Sequence, residues 1–406
     1  MTDRTETYYQ WIESHLSDDP AALRLKFAHR HDDGIDYADA ITQIECRRKF
    51  GKKLADTLAS YPHFRFPSVL AGEQSTSDTL AAWHSSLVPE GIAAADLTAG
   101  LGIDVFHIAR RVSEVTAVEM DVERAQALRD NSEGLRIDNI NVVCGDCRDF
   151  IDDCIKDGRH FGAIFIDPAR RSDSGGRLFA LADCAPDVTT LVGQLSKICS
   201  LLIIKASPML DIAHSIGSLS PTPSAAIVLG TPTECKELVL LIDFEAQQPA
   251  TLIEAVTVRG DSADTFAFTA EQERDSTPVE PMKTLSPGDY IYEASPALMK
   301  AGAHRLVAAR YGLKGFHANT RLYASSEPVV GFPGTRYHVV EAMPYASRII
   351  KRFAARYPRI NVATRNFGIG ADALRAKLRV RDGGDLRLYG LTDANGEQIL
   401  VVTEPA

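Results

Sequence analysis

The chain has 406 residues, of which 45% are hydrophobic and 24% charged, the balance of an ordinary soluble globular protein of two or three domains. A net charge of −10 excludes a uniformly basic nucleic-acid binder, and seven cysteines are too few for a disulfide scaffold, with one left over. No run of about 18 apolar residues is present, so no membrane span is expected.

The opening stretch MTDRTETYYQWIESHLSDDP lacks the basic-then-apolar layout of a secretory signal, and the expectation is a cytoplasmic protein. Residues 1–90 read as a helical region. Ile41, Ile44, Leu54 and Leu58 recur at roughly helical spacing, and Ser75 or Ser77 can cap a further helix. Between 91 and 245 the pattern changes to apolar strands alternating with helices: AAADLT, VTAVEM, INVVCG, GAIFID, LLIIKA, AAIVLG and ELVLLID. Near-continuous apolar runs mean burial on both faces, hence a mostly parallel, Rossmann-like doubly wound α/β sheet. After Phe244 the chain becomes α+β. EQERDSTPVEPMKTLSPGD reads as a linker or long loop, and the Asn395-Gly396 pair marks a hairpin turn. Segments 246–340 and 341–406 are expected as small α+β modules.

The turn after the first strand carries the chemistry. Asp96 closes the strand, Thr98, Gly100 and Gly102 make the turn, and a helix starts near Ile103. Glycines there let backbone N–H groups approach a ligand. A dinucleotide fingerprint would need a small residue at position 105, which is Val. An acid at the strand end also disfavours a pyrophosphate and favours a cation. S-adenosylmethionine suits both facts: it has no phosphate, and it carries a sulfonium and an ammonium. Glu119, after the second strand, can accept both ribose hydroxyl protons. Asp146, after the third, can accept the adenine amine. Asp167 closes the fourth strand, so four successive strand ends place a carboxylate at the carboxyl edge of the sheet.

Asp167 would face the transferred methyl group and accept a hydrogen bond from a base amine. Pro168 would fix the turn and offer a carbonyl. No aromatic follows; Arg170 and Arg171 stand there instead. Three uses are open to them: stacking on a base, holding a phosphate, or pairing with local acids. After the fifth strand Lys205 and Ser207 are expected on the substrate side, with Lys205 as a plain strand-end cation the alternative. No cysteine is poised there for attack on a pyrimidine ring. Cys144 and Cys147 form a C-x-x-C, read as an adenine-pocket loop because no second ligand pair has zinc spacing.

These motifs resemble the class I S-adenosylmethionine-dependent methyltransferases. DLTAGLGID is similar to their first motif, AVEMD to the second, CGDC to the third, and FIDPARR to the fourth-strand motif. The resemblance implies cofactor contacts from Asp96, Thr98, Gly100, Gly102, Glu119, Asp146 and Cys147. It adds Gln74, Ser75 and Thr76, in EQSTSD, as contacts at the methionine end. YIYEASPALMKAG, NTRLYAS and RNFGIGADALRAKLRVRDGGD extend the resemblance to a bacterial family with a ferredoxin-like segment, here 246–340, and a C-terminal THUMP-like domain, here 341–406.

Between Ala346 and Gly390 eleven basic residues face three acids, a net +8 that leaves −18 on the rest. A concentrated basic segment on an acidic body points to a polyanion site, with solvated helix faces as the alternative, and the THUMP-like resemblance implies RNA. Arg352, Arg356 and Arg365 are the expected phosphate contacts. The expectation is therefore an S-adenosylmethionine-dependent methyltransferase acting on a base nitrogen of tRNA or rRNA, with no metal and no membrane partner. The rivals are a methyltransferase for a small molecule or protein, and a non-catalytic module that binds cofactor and RNA.

Overall fold

The computed structural model describes residues 3–28, 30, 35–170, 180–246, 250–260 and 262–406. The chain forms two compact units, Met1–Ser224 with Leu238–Pro249, and Ala225–Glu237 with Ala250–Ala406.

In the first unit the N-terminal residues build six helices, from Asp3–Ser14 to Asp78–Ser85. Their starts are chemically marked. Asp19 accepts from Ala22 N–H ahead of Pro20, Asp36 accepts from Asp39 N–H, and Ser77, rather than Ser75, caps the last helix by accepting from Leu80 N–H. Ile12, Leu23, Phe27, Ile41 and Ile44 pack together as a small core.

Five parallel strands follow: β1 Ala93–Asp96, β2 Glu114–Glu119, β3 Ile140–Cys144, β4 Phe161–Ile166 and β5 Cys199–Ala206. They pair in the order β3-β2-β1-β4-β5, and Leu238–Asp243 adds antiparallel to β5. The order reverses at β1, whose neighbours are β2 and β4. A crevice opens at such a switch point, outside the carboxyl ends of the strands. Ala94, Ala95, Val115, Ala117, Ile164 and Ile203 are all at or below 1–2% exposure, the burial expected of strands covered on both faces.

The expected strand AAIVLG forms, as Ala225–Gly230. It belongs to the second unit, where it pairs in parallel with Leu252–Arg259, which in turn pairs antiparallel with Ser262–Phe268. The two later strands have no strong alternation in sequence and were not expected. Part of the presumed linker is helix Ala270–Asp275, started by a Thr269–Gln272 capping box.

The second unit also holds a seven-stranded sheet. Its order is Lys314–Gly315, Tyr323–Ser325, Tyr290–Ala294, Gly334–Pro344, Gln398–Pro405, Arg387–Thr392 and Asn361–Arg365. The strand Gly334–Pro344 runs straight across the expected boundary at 340/341, with a bulge at Val339/Glu341. The ferredoxin-like and THUMP-like segments therefore share one sheet. Helices Ser347–Arg356 and Ala371–Leu378 bring Phe353, Leu374 and Leu378 onto Leu388, Leu400 and Val402. Tyr389, Leu391 and Val401 alternate with these and face Ile291, Tyr337 and Val339 on the other side.

Gly390 sits where helix and sheet approach closely: a Cβ there would meet Leu374 Cδ2 at 2.7 Å and the Phe367 ring at 3.2 Å. Gly390→Ala is expected to destabilise this unit by about 1–3 kcal/mol through overpacking. A lowered urea midpoint, followed by circular dichroism, checks it, and an unchanged midpoint counts against this packing.

Candidate functional site

The site grows from the turn between β1 and helix Ile103–Ala109. Gly100 (φ 55°) and Gly102 (φ 88°) adopt the left-handed conformation. A Cβ on Gly102 would also press on Leu128 and Phe106 at 3.0 Å. The turn is tied down on both sides. Thr98 N–H donates to Asp96 Oδ1 (2.9 Å), and Asp167 N–H donates to Thr98 Oγ1 (2.7 Å). Gly100 N–H donates to Glu119 Oε2 and Asp121 N–H to Glu119 Oε1, both at 2.8 Å. Each Glu119 oxygen thus spends one lone pair on backbone and keeps acceptor capacity for a further donor.

Asp146 caps helix Cys147–Asp157 and is gripped by Arg148, whose Nη2 lies 2.5 Å from Oδ2. The Arg148 guanidinium and N–H hold its carboxyl down at about 2. Cys147 is buried, and burial pushes its thiol up to about 11. Cys144 is exposed. Among the described residues no group of three His, Cys, Asp or Glu is placed to hold a metal ion.

Asp96 is buried and its carboxyl is pushed up to about 8, chiefly by loss of water; Thr98 N–H opposes the shift, and the neighbouring Asp104 and Asp167 add to it. Asp104 goes the other way. Burial raises it, but the charge and hydrogen bond of His84, with Lys205 and Thr76, bring it well below the usual carboxylate range. His84 Nδ1 donates to Asp104 Oδ1 at 2.7 Å, and Thr76 Oγ1 donates to Asp104 Oδ2 at 2.5 Å. Lys205 donates to both Thr76 Oγ1 (2.9 Å) and Asp167 Oδ2 (2.8 Å).

Two recesses share this floor. Gln74, Thr98, Gly100, Glu119, Asp146, Cys147 and Asp167 line a groove of about 1060 Å³. Ser75, Thr76, Asp96, Gly102 and Asp104 line a smaller recess of about 60 Å³, which shares Gln74, Thr98, Gly100, Arg124 and Asp167 with the groove. Every residue expected at a cofactor therefore lies on one of two connected surfaces. Some are already engaged: Ser75 Oγ donates to Gly72 O, and Gln74 Oε1 accepts from Arg124. Pro168 is buried beside Ala169–Arg170, a short strand paired with Cys184–Ala185.

The expected substrate residues scatter. Arg171 and the side chain of Arg170 lie outside the described residues. Lys205, at the carboxyl end of β5, donates to Asp167 and Thr76, where a neighbouring carboxylate offsets the cost of burying its ammonium. Arg356 pairs with Glu341 at 2.6 Å, and Arg365 with the half-buried Glu293, which also takes Arg387. Arg365 is thus a tie within the second unit's sheet. Arg352 is exposed on helix Ser347–Arg356.

Sequence reasoning missed His84, Asp104, Arg124 and Arg148. An acid in the first helical turn was a usable signal for Asp104. His84 gives none, because its partner lies 20 residues away.

Family models match three stretches: "Conserved hypothetical protein 95" at 84–175, a ferredoxin-like domain at 290–333 and a THUMP domain-like region at 334–405. The crystal structure of a "putative methyltransferase" from Porphyromonas gingivalis W83 is 30% identical, covers 100% of both chains and superposes with a TM-score of 0.88. "Putative methyltransferase yhhF" from Escherichia coli is 18% identical over 42% of this chain and 84% of that one, with a TM-score of 0.31. A "putative methyltransferase" from Streptococcus mutans in complex with SAH is 15% identical over 31% and 69%, with a TM-score of 0.25. No curated protein matches.

The raised Asp96 carboxyl makes stability depend on pH. The folded chain holds this proton up to about 8, whereas an unfolded aspartate releases it near 3.8. Stability from this group therefore falls as pH rises through that window. Asp96→Asn removes the penalty, and at pH 9 the ligand-free variant is expected to be more stable by about 1–3 kcal/mol. Urea unfolding at pH 6 and pH 9 checks it; a variant no more stable at either pH refutes the assignment.

Proposed function

The chain belongs to the bacterial methyltransferase family with a ferredoxin-like segment and a C-terminal THUMP-like domain, and on that premise we propose that it methylates a base nitrogen of RNA from S-adenosylmethionine. The observation that carries the reading is the acidic recess beside the glycine turn. Asp96, Asp104 and Asp167 meet there, and Asp96 is kept protonated up to about 8 by burial. A cation seated beside Asp96 would let that acid give up its proton and pair with it, whereas a pyrophosphate would find carboxylates and no free donor from Asp96 once ionised. S-adenosylmethionine carries two cationic groups beside a ribose and an adenine, and the residues present fit each part.

Asp96, Thr98, Gly100 and Gly102 would hold the methionine end, with Gln74, Ser75 and Thr76 beside them. Glu119, oriented by two backbone N–H groups, would accept from the ribose hydroxyls. Asp146 and Cys147 would border the adenine. Bound there, the cofactor supplies an activated methyl group on a good leaving group. The protein's share is alignment. Asp167, anchored through its own N–H and by Lys205, would accept a hydrogen bond from the acceptor amine and direct its lone pair. Pro168 fixes the turn that presents Asp167 and offers its carbonyl.

RNA is favoured by helix Ser347–Arg356. Phe353 is buried and Ile349, Ile350 and Ala354 are half-buried, which leaves Arg348, Lys351 and Arg352 exposed together. A row of exposed cations suits a phosphate backbone, and the THUMP-like resemblance of residues 334–405 agrees with it. Arg170 and Arg171, next to Asp167 in sequence, remain candidates for the target nucleotide.

Two measurements test this. Glu119→Ala is expected to weaken binding of S-adenosylhomocysteine several-fold by calorimetry, and unchanged affinity counts against ribose recognition. Changing Arg348, Lys351 and Arg352 together to Glu in the full chain should weaken tRNA binding at least tenfold at about 50 mM salt and flatten the salt dependence by up to about three units of log–log slope. Wild-type protein that binds no RNA at that salt would favour a small-molecule or protein acceptor. Nucleoside mass spectrometry of total RNA, with and without the protein, then identifies the methylated base.

A further inference from the structure

Lys205 stands at the carboxyl end of β5 with its side chain only 13% exposed, whereas the Asp167 side chain is 39% exposed. An acid that accessible would sample several rotamers unless something held it. Its backbone is fixed through its N–H, which donates to Thr98 Oγ1, and its carboxylate is held at Oδ2, which accepts from Lys205 Nζ. The same ammonium donates to Thr76 Oγ1, the Thr76 hydroxyl donates a hydrogen bond to Asp104, and Asp104 is held by the fully buried His84. These five side chains come from four distant stretches of chain: 76–84, 104, 167 and 205. A lysine that only neutralised buried acids would need no directed bond to a threonine hydroxyl. Here that bond connects the acid beside the groove to the segment that flanks the methionine end of the recess.

We infer that Lys205 is a positioning residue. It aims the Asp167 carboxylate, and through Thr76, Asp104 and His84 it makes that aim depend on the seating of the N-terminal segment. This rests on the reading of Asp167 as the group that orients the acceptor nitrogen. It withdraws Lys205 from any part in gripping RNA: losing the ammonium should affect the chemical step and leave acceptor binding alone.

The test has an arm that needs no substrate. In full-length protein labelled with lysine ¹⁵N, the Nζ signal of Lys205 is assigned by its absence in Lys205→Met. A hydrogen-bonded ammonium gives a slowly exchanging signal that moves in Asp167→Asn and Thr76→Val, and by a smaller amount in His84→Gln. A signal unmoved by Asp167→Asn or by Thr76→Val overturns the inference. The second arm follows methyl transfer from labelled S-adenosylmethionine to total bacterial RNA. Lys205→Met is expected to lower kcat about 100-fold, the scale of a misplaced catalytic group. KM for RNA and the Kd of S-adenosylhomocysteine should stay within about threefold, and Lys205→Arg should recover at least tenfold of the loss. Adding Thr76→Val to Lys205→Met should cost little more, because the two act through one chain. Unchanged kcat, or a loss confined to KM, overturns the inference. If the wild type methylates no RNA, the reading of function fails, and the lysine signal alone decides the linkage.

Discussion

A buried ammonium among carboxylates is the constraint around which the site is built. Asp96, Asp104 and Asp167 crowd one recess at the switch point of the sheet, and the two buried acids, Asp96 and Asp104, cannot both ionise there beside Asp167 unaided. Lys205 and His84 supply the balancing charge, to Asp167 and Asp104 respectively. Asp96, whose only donor among the named contacts is Thr98 N–H, gives way and keeps its proton to about pH 8. Asp96 is thereby left as the acid that a cationic ligand can draw into its ionised form.

The same balance explains the N-terminal helices. Helix Asp78–Ser85 and helix Ile103–Ala109 exchange two contacts in opposite senses: His84 to Asp104, and His107 to Asp78 at 3.6 Å. Asp78 in turn accepts from the backbone and hydroxyl of Thr57. Breaking a buried pair of this kind by removing one partner costs about 3–5 kcal/mol, because the remaining charge has no water. Helix Ile103–Ala109 lends Ile103 and Asp104 to the recess, and helix Asp78–Ser85 braces it from behind through these contacts. Glycine at 102 serves that packing too, since any side chain would collide with Leu128 and Phe106.

The second unit solves a different problem. One sheet is covered by two helices on one face and folded against its own apolar side chains on the other. Glu293, on a strand of the ferredoxin-like segment, gathers Arg365, Arg387 and Tyr389 from the THUMP-like segment. Those arginines are consumed in joining the two segments. Other cations of the segment stay exposed, among them Arg348, Lys351 and Arg352 on helix Ser347–Arg356 and Arg359, Lys377, Arg379 and Arg381 beyond it. Positive charge in this segment therefore divides into an internal tie and an external face, a division invisible in a count of +8.

How far the residues speak for themselves depends on the range of the interaction. Strands β1 to β5, the glycine turn and the order of the four strand-end carboxylates are local patterns, legible because buried parallel strands are continuously apolar and loops at their ends are polar. Gly100 and Glu119 were readable for the same reason: each sits at a fixed offset from a strand. Residues 252–268 were not, since their strands lack a clean period and owe their form to pairing with Ala225–Gly230. The single sheet spanning 290–405 was hidden as well, because the expected boundary at 340/341 falls inside the strand Gly334–Pro344. Most of all, side-chain partnership escapes a linear reading. His84, Thr76, Asp104, Lys205 and Asp167 find one another across as many as 129 positions, and Arg365 meets Glu293 across 72. Which lysine orients an acid, and which arginine is free for a phosphate, are settled by packing distance and desolvation, and neither quantity exists until the chain has folded.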